Sequence, residues 1–395
     1  PFHVTRFFRP TFLEVFNLTN GQLGDVFAVY GIFATLAYFP GGVLADYFSA
    51  RKLMTASLLA TALGGVLIAQ IPSFWGLSLI FAFWGLTTIL MFWAALIKAT
   101  REWGGEQKSG SAFGILDGGR GLVAAIVATA AVWIFTLLLP EKLDSLTTEQ
   151  RASALQGVIY FYALLTAIAG VFVWLILPQT NQKTAPMPIL QGIRQAASMP
   201  LIWLQGLVII CAYAAFKALD NYGLYIQAIT GINELETARF SAISYYMRPI
   251  AAVTAGFIVD RFSASRVISI AFATLVISYF ILGFASASTY GLNLLYANIL
   301  VTLAAVFGIR GVYFALIEET KIDKKMTGTA VGLISAIGFT SEIFFAPISG
   351  RLLDASPGIT GHQQVFIMLA IISVIGIIAT LVIAHYNKPN SIKPA

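Results

Sequence analysis

The sequence predicts an all-α integral membrane protein made of two repeated six-helix halves, and three observations carry that prediction. Hydrophobic residues make up 58% of the chain and charged residues 11%, with a mean hydropathy of +0.82, whereas soluble domains run at roughly 45–50% apolar and about 25% charged. Apolar stretches of about 20 residues, enough for a helix to cross roughly 30 Å of hydrocarbon, recur along the whole chain. A nine-residue phrase is also written twice. GVLADYFSA at 42–50 and GFIVDRFSA at 256–264 share a glycine, an aspartate four residues on and then Phe-Ser-Ala, 214 residues apart (256 minus 42).

The expected spans are 22–48, 53–71, 74–98, 110–139, 154–177, 201–229, 234–260, 266–285, 290–317, 327–353 and 362–386. Barrel strands are shorter and alternate polar with apolar residues, which these runs do not, so helices are the spanning solution left. Ahead of them lies PFHVTRFFRPTFLEVF, too short and too polar to span alone. In the register of the repeat, the helix near Leu201 has a counterpart starting about 13 residues before Pro1 (201 minus 214). The expectation is therefore that the sequence opens inside a first helix and that the full fold has twelve. A cleaved signal peptide is the alternative, but the segment shows no n-region, h-region and small-residue cleavage site.

The longest polar interruption is Pro178 to Pro200, whose prolines at 178, 186, 188 and 200 break any continuous helix. It separates a first half, 1–177, from a second half, 201–386, followed by a tail at 387–395. Residues 189–197 fit either a surface amphipathic helix or a flexible linker. The repeat extends further: ALIKAT at 95–100 answers ALIEET at 315–320, and GSAFG at 110–114 answers GTAVG at 328–332. Three pairs in order, at nearly one offset, indicate duplication.

The formal charge of +6 does not imply nucleic acid, because the basic residues sit in short loops. In an alternating topology Arg51, Lys52, Lys98, Arg101, Lys108, Lys183, Arg194, Arg261, Arg266, Lys321, Lys324, Lys325, Lys388 and Lys393 share one side, and Lys142, Arg151 and Arg239 the other. The positive-inside rule makes the first side cytoplasmic, with both chain ends there, in a plasma or inner membrane. The single cysteine, Cys211, excludes an intramolecular disulfide.

Gly42-x-x-x-Asp46 followed by Arg51-Lys52, with its echo Gly256-x-x-x-Asp260-Arg261 and Arg266, resembles the signature loop of the major facilitator superfamily. Helix number, central loop and both signatures extend the resemblance over essentially the whole chain. It implies a secondary transporter working by alternating access around a midplane site, needing no cofactor. It also implies gating roles for Gly42, Asp46, Arg51, Gly256, Asp260 and Arg266. An aspartate at a helix C-terminus is disfavoured by the helix dipole and needs an external positive partner, so a partner present in one arrangement only makes a latch. Arg51 stands five residues after Asp46, where the family usually has four, so the loop is one residue longer. Plain topology charge is the other reading of both copies.

An ionisable side chain inside a span costs at least about 2.5–3.5 kcal/mol, so a function is its default reading. The sequence offers Arg9, Asp117, Arg120, Lys217, Asp220, Arg248, Arg310 and Glu342. Asp117 with Arg120 and Lys217 with Asp220 are spaced for i,i+3 pairing on one helix face. The surplus of guanidinium groups, planar forks suited to carboxylate, phosphate or sulfonate, points to an anionic substrate held by Arg9, Arg120, Lys217, Arg248 and Arg310. Mutual pairing that merely holds helices together is the alternative. Tyr222, Tyr246 and Tyr313 join them as hydroxyl donors, although tyrosines near span ends also serve as interfacial anchors. Glu342 has no local partner in the sequence and is expected to carry a coupling proton, with Asp117 and Asp220 as further carriers; a hydrogen-bonded structural acid is the other reading.

GILDGGRG at 114–121 is no phosphate cradle, since it lies within a span rather than after a strand. Its small residues suit close helix packing. The stretch also lacks the Gly-Pro pattern of many drug–proton antiporters of the superfamily. His3, His362 and His385 lie near helix or chain ends, and no metal-ligand or catalytic-triad spacing appears, so neither enzyme nor metal site is expected. Arg9-Pro10, WAALIKAT at 93–100 and RGVYFAL at 310–316 resemble, more distantly, the branch of the superfamily that carries organic anions and organophosphates. Proton-linked symport of a small organic anion is the leading expectation. Proton-coupled export of an amphipathic or cationic compound and a non-transporting receptor are the rivals. A duplicated chain encloses a cavity by itself, so a monomer in a lipid bilayer is expected.

Overall fold

The computed structural model describes residues 1–104, 109–140, 146–179, 194–284, 291–319 and 327–386. Among them every regular element is a helix, and ten stretches are long and apolar enough to cross a membrane. In chain order the helices are α1 (Val4–Phe7), α2 (Arg9–Val15), α3 (Asn20–Tyr47), α4 (Ala50–Ile68), α5 (Phe74–Leu86), a π-helical stretch (Thr87–Trp93), α6 (Ala94–Gly104), α7 (Ser109–Leu138) and α8 (Thr148–Ile176). There follow α9 (Pro200–Ala218), α10 (Tyr222–Thr230), α11 (Glu234–Ser244), α12 (Met247–Val259), α13 (Ala264–Phe284), α14 (Leu292–Val312), α15 (Leu316–Glu319), α16 (Thr327–Gly338), α17 (Ser341–Ala355) and α18 (Ile359–Tyr386).

Helix starts fall close to those expected from hydropathy. The clearest shift is at α8, which begins at Thr148 because Thr147 and Gln150 form a reciprocal capping box, a signal that acts ahead of the apolar run. Thr19 and Gln22 build the same device at the start of α3. The two copies of the repeated phrase play matching parts: 42–50 ends α3 and opens α4, and 256–264 ends α12 and opens α13.

Several expected spans are interrupted. Short 3-10 turns at Leu219–Asn221 and Tyr313–Ala315 break those expected at 201–229 and 290–317. Turns around 245–246 and 339–340 divide α11 from α12 and α16 from α17. Irregular backbone at membrane depth is tolerated only where protein or a cavity satisfies it, so these breaks mark where polar side chains gather.

The chain forms two compact units. The first takes in 1–186, 217–249 and 340–365, and the second 187–216, 250–339 and 366–395. In the first unit α3 packs on α5 and α17, and α4 on α8. The α3–α17 contact is backbone against backbone: a Cβ on Gly24 would sit 2.5 Å from the Ala346 carbonyl oxygen, and one on Gly350 would sit 2.3 Å from that of Asn20. Lipid tails are as apolar as leucine, so this van der Waals closeness, rather than water exclusion, holds membrane helices together. In the second unit α13 packs on α14, and the Asn298 amide donates to the Ser278 carbonyl across them at 3.0 Å.

Candidate substrate-binding site

The first unit gathers its buried charges where its helices break. Phe8, with φ −119° and ψ 36°, separates α1 from α2, and Pro10 stands in the first turn of α2, where its missing N–H costs nothing. Arg6 and Arg9 flank that break. Asp220 sits on the 3-10 turn after α9. Glu342 is in the first turn of α17, where the helix dipole favours a carboxylate.

Arg6, Lys217, Asp220 and Glu342 form one buried network. Arg6 Nε donates to Asp220 Oδ1 and Arg6 Nη1 to the Tyr245 hydroxyl. Lys217 Nζ lies 3.2 Å from Asp220 Oδ2 and 3.2 Å from Glu342 Oε2, with side-chain exposures of 2%, 7% and 8% respectively. The same ammonium lies 4.2 Å from the centre of the Phe27 ring, a cation–π contact that adds attraction without charge cancellation.

Arg9 is 5% exposed and is held differently. Its Nη2 donates to Asn20 Oδ1 at 3.1 Å, its Nε is buried with no hydrogen-bond partner, and among the described residues it forms no ion pair. It borders a small cavity lined on the polar side by Lys217, Asp220, Asn221 and Ser349 and on the apolar side by Phe27 and Phe345, with room for about one water molecule.

The i,i+3 spacing of Lys217 and Asp220 correctly anticipated their pairing. Glu342, which has no local partner in the sequence, shares Lys217, a contact across 125 residues (342 minus 217) that no local spacing reveals. Arg6 and Tyr245 were missed altogether. Arg6 stands three residues before Arg9, and that i,i+3 spacing was the signal available.

The remaining candidates are dispersed. In the first unit Arg248 is buried with its stem over Gly121, whose Cβ would lie 3.3 Å from Arg248 Cγ. Tyr246 bonds to Thr129 through hydroxyls 3.1 Å apart, Tyr222 is buried at the start of α10, and Arg120 lies 5.4 Å from the Trp93 ring centre. The side chain of Asp117 lies outside the described residues. In the second unit the Arg310 guanidinium stands 3.8 Å from the Phe216 ring centre and 5.3 Å from that of Tyr213. Tyr313 is buried on its 3-10 turn.

Of the expected gating residues, Gly42 lies within α3 and the Asp46 side chain lies outside the described residues. Arg51 stacks 4.4 Å above the Trp174 ring. Gly256 lies within α12, while Asp260 and Arg266 are exposed.

A family model described as Major Facilitator Superfamily matches residues 4–346. The inner membrane protein YihN of Escherichia coli (strain K12) is 28% identical over 386 residues, 94% of this chain and 88% of that one. The nitrite extrusion protein of Bacillus subtilis (strain 168) is 24% identical over 344 residues, 84% of this chain and 78% of that one. A crystal structure of a mutant form of the nucleoside transporter NupG superposes with a TM-score of 0.72 at 15% identity, covering 96% of this chain and 98% of that one, which is a likeness of fold. The repeated signature, the all-helical architecture and these matches together show that the chain belongs to the major facilitator superfamily, as a multi-pass inner-membrane transporter of the twelve-helix fold and not an enzyme.

Proposed function

We propose that the protein carries a small organic anion, coupled to protons, with Arg9 as the primary anion-binding group. The observation that carries this reading is the charge count of the buried network beside the cavity, whose lining includes Arg9, Lys217 and Asp220. Three cations (Arg6, Arg9 and Lys217) face two carboxylates (Asp220 and Glu342), and the two carboxylates are already matched by Arg6 and Lys217. Arg9 keeps a buried Nε for an incoming acceptor, and a guanidinium can bind a planar anion through two N–H groups. Asn221 and Ser349 add neutral polar groups.

Proton coupling follows from the shared ammonium. Lys217 cannot satisfy two carboxylates and a substrate equally, so a proton taken up by Glu342 releases Lys217 toward the anion, and loss of that proton draws it back. Asp220 is held by Arg6 as well as by Lys217, so Glu342, which shares only the lysine, is the carboxylate to which we assign the coupling proton. Arg120, Arg248, Arg310, Tyr222, Tyr246 and Tyr313 are proposed as further polar contacts for the anion, Asp117 as an auxiliary proton carrier, and Asp46–Arg51 and Asp260–Arg266 as gates. The name of the nitrite extrusion relative supports an anion in general terms.

Purified protein should be stabilised against heat by members of an anionic metabolite panel and not by matched zwitterions or cations. A ligand at about 100 times its Kd adds about 2.7 kcal/mol if it binds only the folded state. Arg9→Gln should remove that stabilisation. Stabilisation by cationic or lipophilic compounds alone would overturn the anion assignment in favour of the exporter reading.

A further inference from the structure

We propose that Asn20 is a positioning residue that couples the state of Arg9 to a clasp between α3 and α17. Its side chain joins the two directly: Oδ1 accepts from Arg9 Nη2 at 3.1 Å, and Nδ2 donates to Asp354 Oδ1 at 3.2 Å. A carboxamide offers an acceptor to the guanidinium and, from its other end, a donor to the carboxylate; aspartate lacks the donor and alanine lacks both.

Asp354 is the clasp. Its carboxylate also accepts the backbone N–H of Asn20 at 3.0 Å and of Gly21 at 2.6 Å. These are among the first N–H groups of a 28-residue helix, donors that have no partner within the helix and sit at its positive end. A second tie stands one turn further in, where Arg351 Nη2 lies 2.9 Å from Asp25 Oδ1.

The clasp controls helix position because nothing cushions the seam beneath it. With Gly350 against the Asn20 backbone and Gly24 against that of Ala346, α17 cannot slide on α3 without displacing Asn20. An acceptor that draws the Arg9 guanidinium away takes a donor from Asn20 Oδ1 and frees its amide to turn from Asp354. One of the clasp's bonds is lost, and the end of the seam loosens. Occupancy at Arg9 and closure of this end of the α3–α17 seam are then linked, and by reciprocity closure sets how tightly Arg9 holds an acceptor.

The test needs no substrate, so it stands or falls separately from the anion reading. In a Cys211→Ser background, Ser349→Cys places a reporter thiol beside the Arg9 cavity, and its labelling by a membrane-impermeant maleimide is timed in right-side-out and inside-out vesicles. Asp354→Asn should speed labelling about fivefold in one vesicle orientation only, and Asp354→Glu should restore the slow rate. Arg9→Gln should speed labelling about fivefold when Asn20 is present and less than about twofold after Asn20→Ala. Each variant is first shown to be monodisperse on gel filtration. An Asp354→Asn rate unchanged in both orientations, or an equal Arg9→Gln effect with and without Asn20, would overturn the proposal.

Discussion

Helix α17 carries a carboxylate near each end, and the two are held by opposite means. Glu342 is 6% exposed and answers a lysine ammonium. Asp354 is exposed and answers backbone N–H groups at the start of α3. A buried carboxylate deprived of its cation has no water to turn to, whereas an exposed one is resolvated at once. The difference teaches that the Glu342 end of α17 is a site of strong, buried charge pairing, and the Asp354 end one of weak and reversible interaction. Under the proposed function both have a use: tight charge matching beside the anion site, and low-cost contacts where α3 and α17 would part.

Lys217→Met should do the greatest damage, because it strips one cation from two buried carboxylates. Removing one partner of a buried ion pair costs about 3–5 kcal/mol, and the melting temperature in detergent should fall accordingly. Adding Glu342→Gln should recover part of the loss. A Lys217→Met protein as stable as the parent would mean that this network is not buried as described. Gly350→Val should follow. Its Cβ would lie 2.3 Å from the Asn20 carbonyl oxygen, and overpacking of this kind costs about 1–3 kcal/mol, to be read as a lower melting temperature.

Glu342→Gln is milder for stability and sharper for function. The amide keeps the shape and can still face Lys217, but it cannot exchange a proton. Proton-driven accumulation in liposomes should disappear, while exchange of labelled for unlabelled substrate should persist and lose its dependence on pH. Exchange that keeps the parent's pH profile would move the coupling role to another carboxylate, with Asp220 first.

Much of the fold was legible in the sequence because lipid imposes one simple rule. Apolar runs of sufficient length placed the helices, and the doubled Gly-x-x-x-Asp phrase placed the repeat. What hydropathy does not register is the break within a span. The turns at Leu219–Asn221 and Tyr313–Ala315 lie in stretches as apolar as their neighbours, yet they position Asp220 and Tyr313. The candidate site was legible in part. Lys217, Asp220, Arg9 and Glu342 announced themselves as charges at membrane depth. Arg6, in the same opening segment as Arg9, did not, because its partners Asp220 and Tyr245 lie 214 and 239 residues away. Asp354 did not either, since a carboxylate at a helix end is ordinary and its partner, Asn20, is 334 residues away.

Asp354→Asn should have the smallest effect on stability. The asparagine retains one oxygen to accept from Asn20 and Gly21 but gives up the negative charge that faces the positive end of α3. Charge–dipole terms at exposed helix ends are worth about 0.3–1 kcal/mol and are screened by salt. The melting temperature should therefore drop slightly at low ionic strength and match the parent near 1 M salt, where the screening length is about 3 Å. A drop that survives high salt would mean that Asp354 acts through hydrogen-bond geometry rather than charge. The clasp would then be as rigid as the buried network, and the contrast between the two ends of α17 would fail.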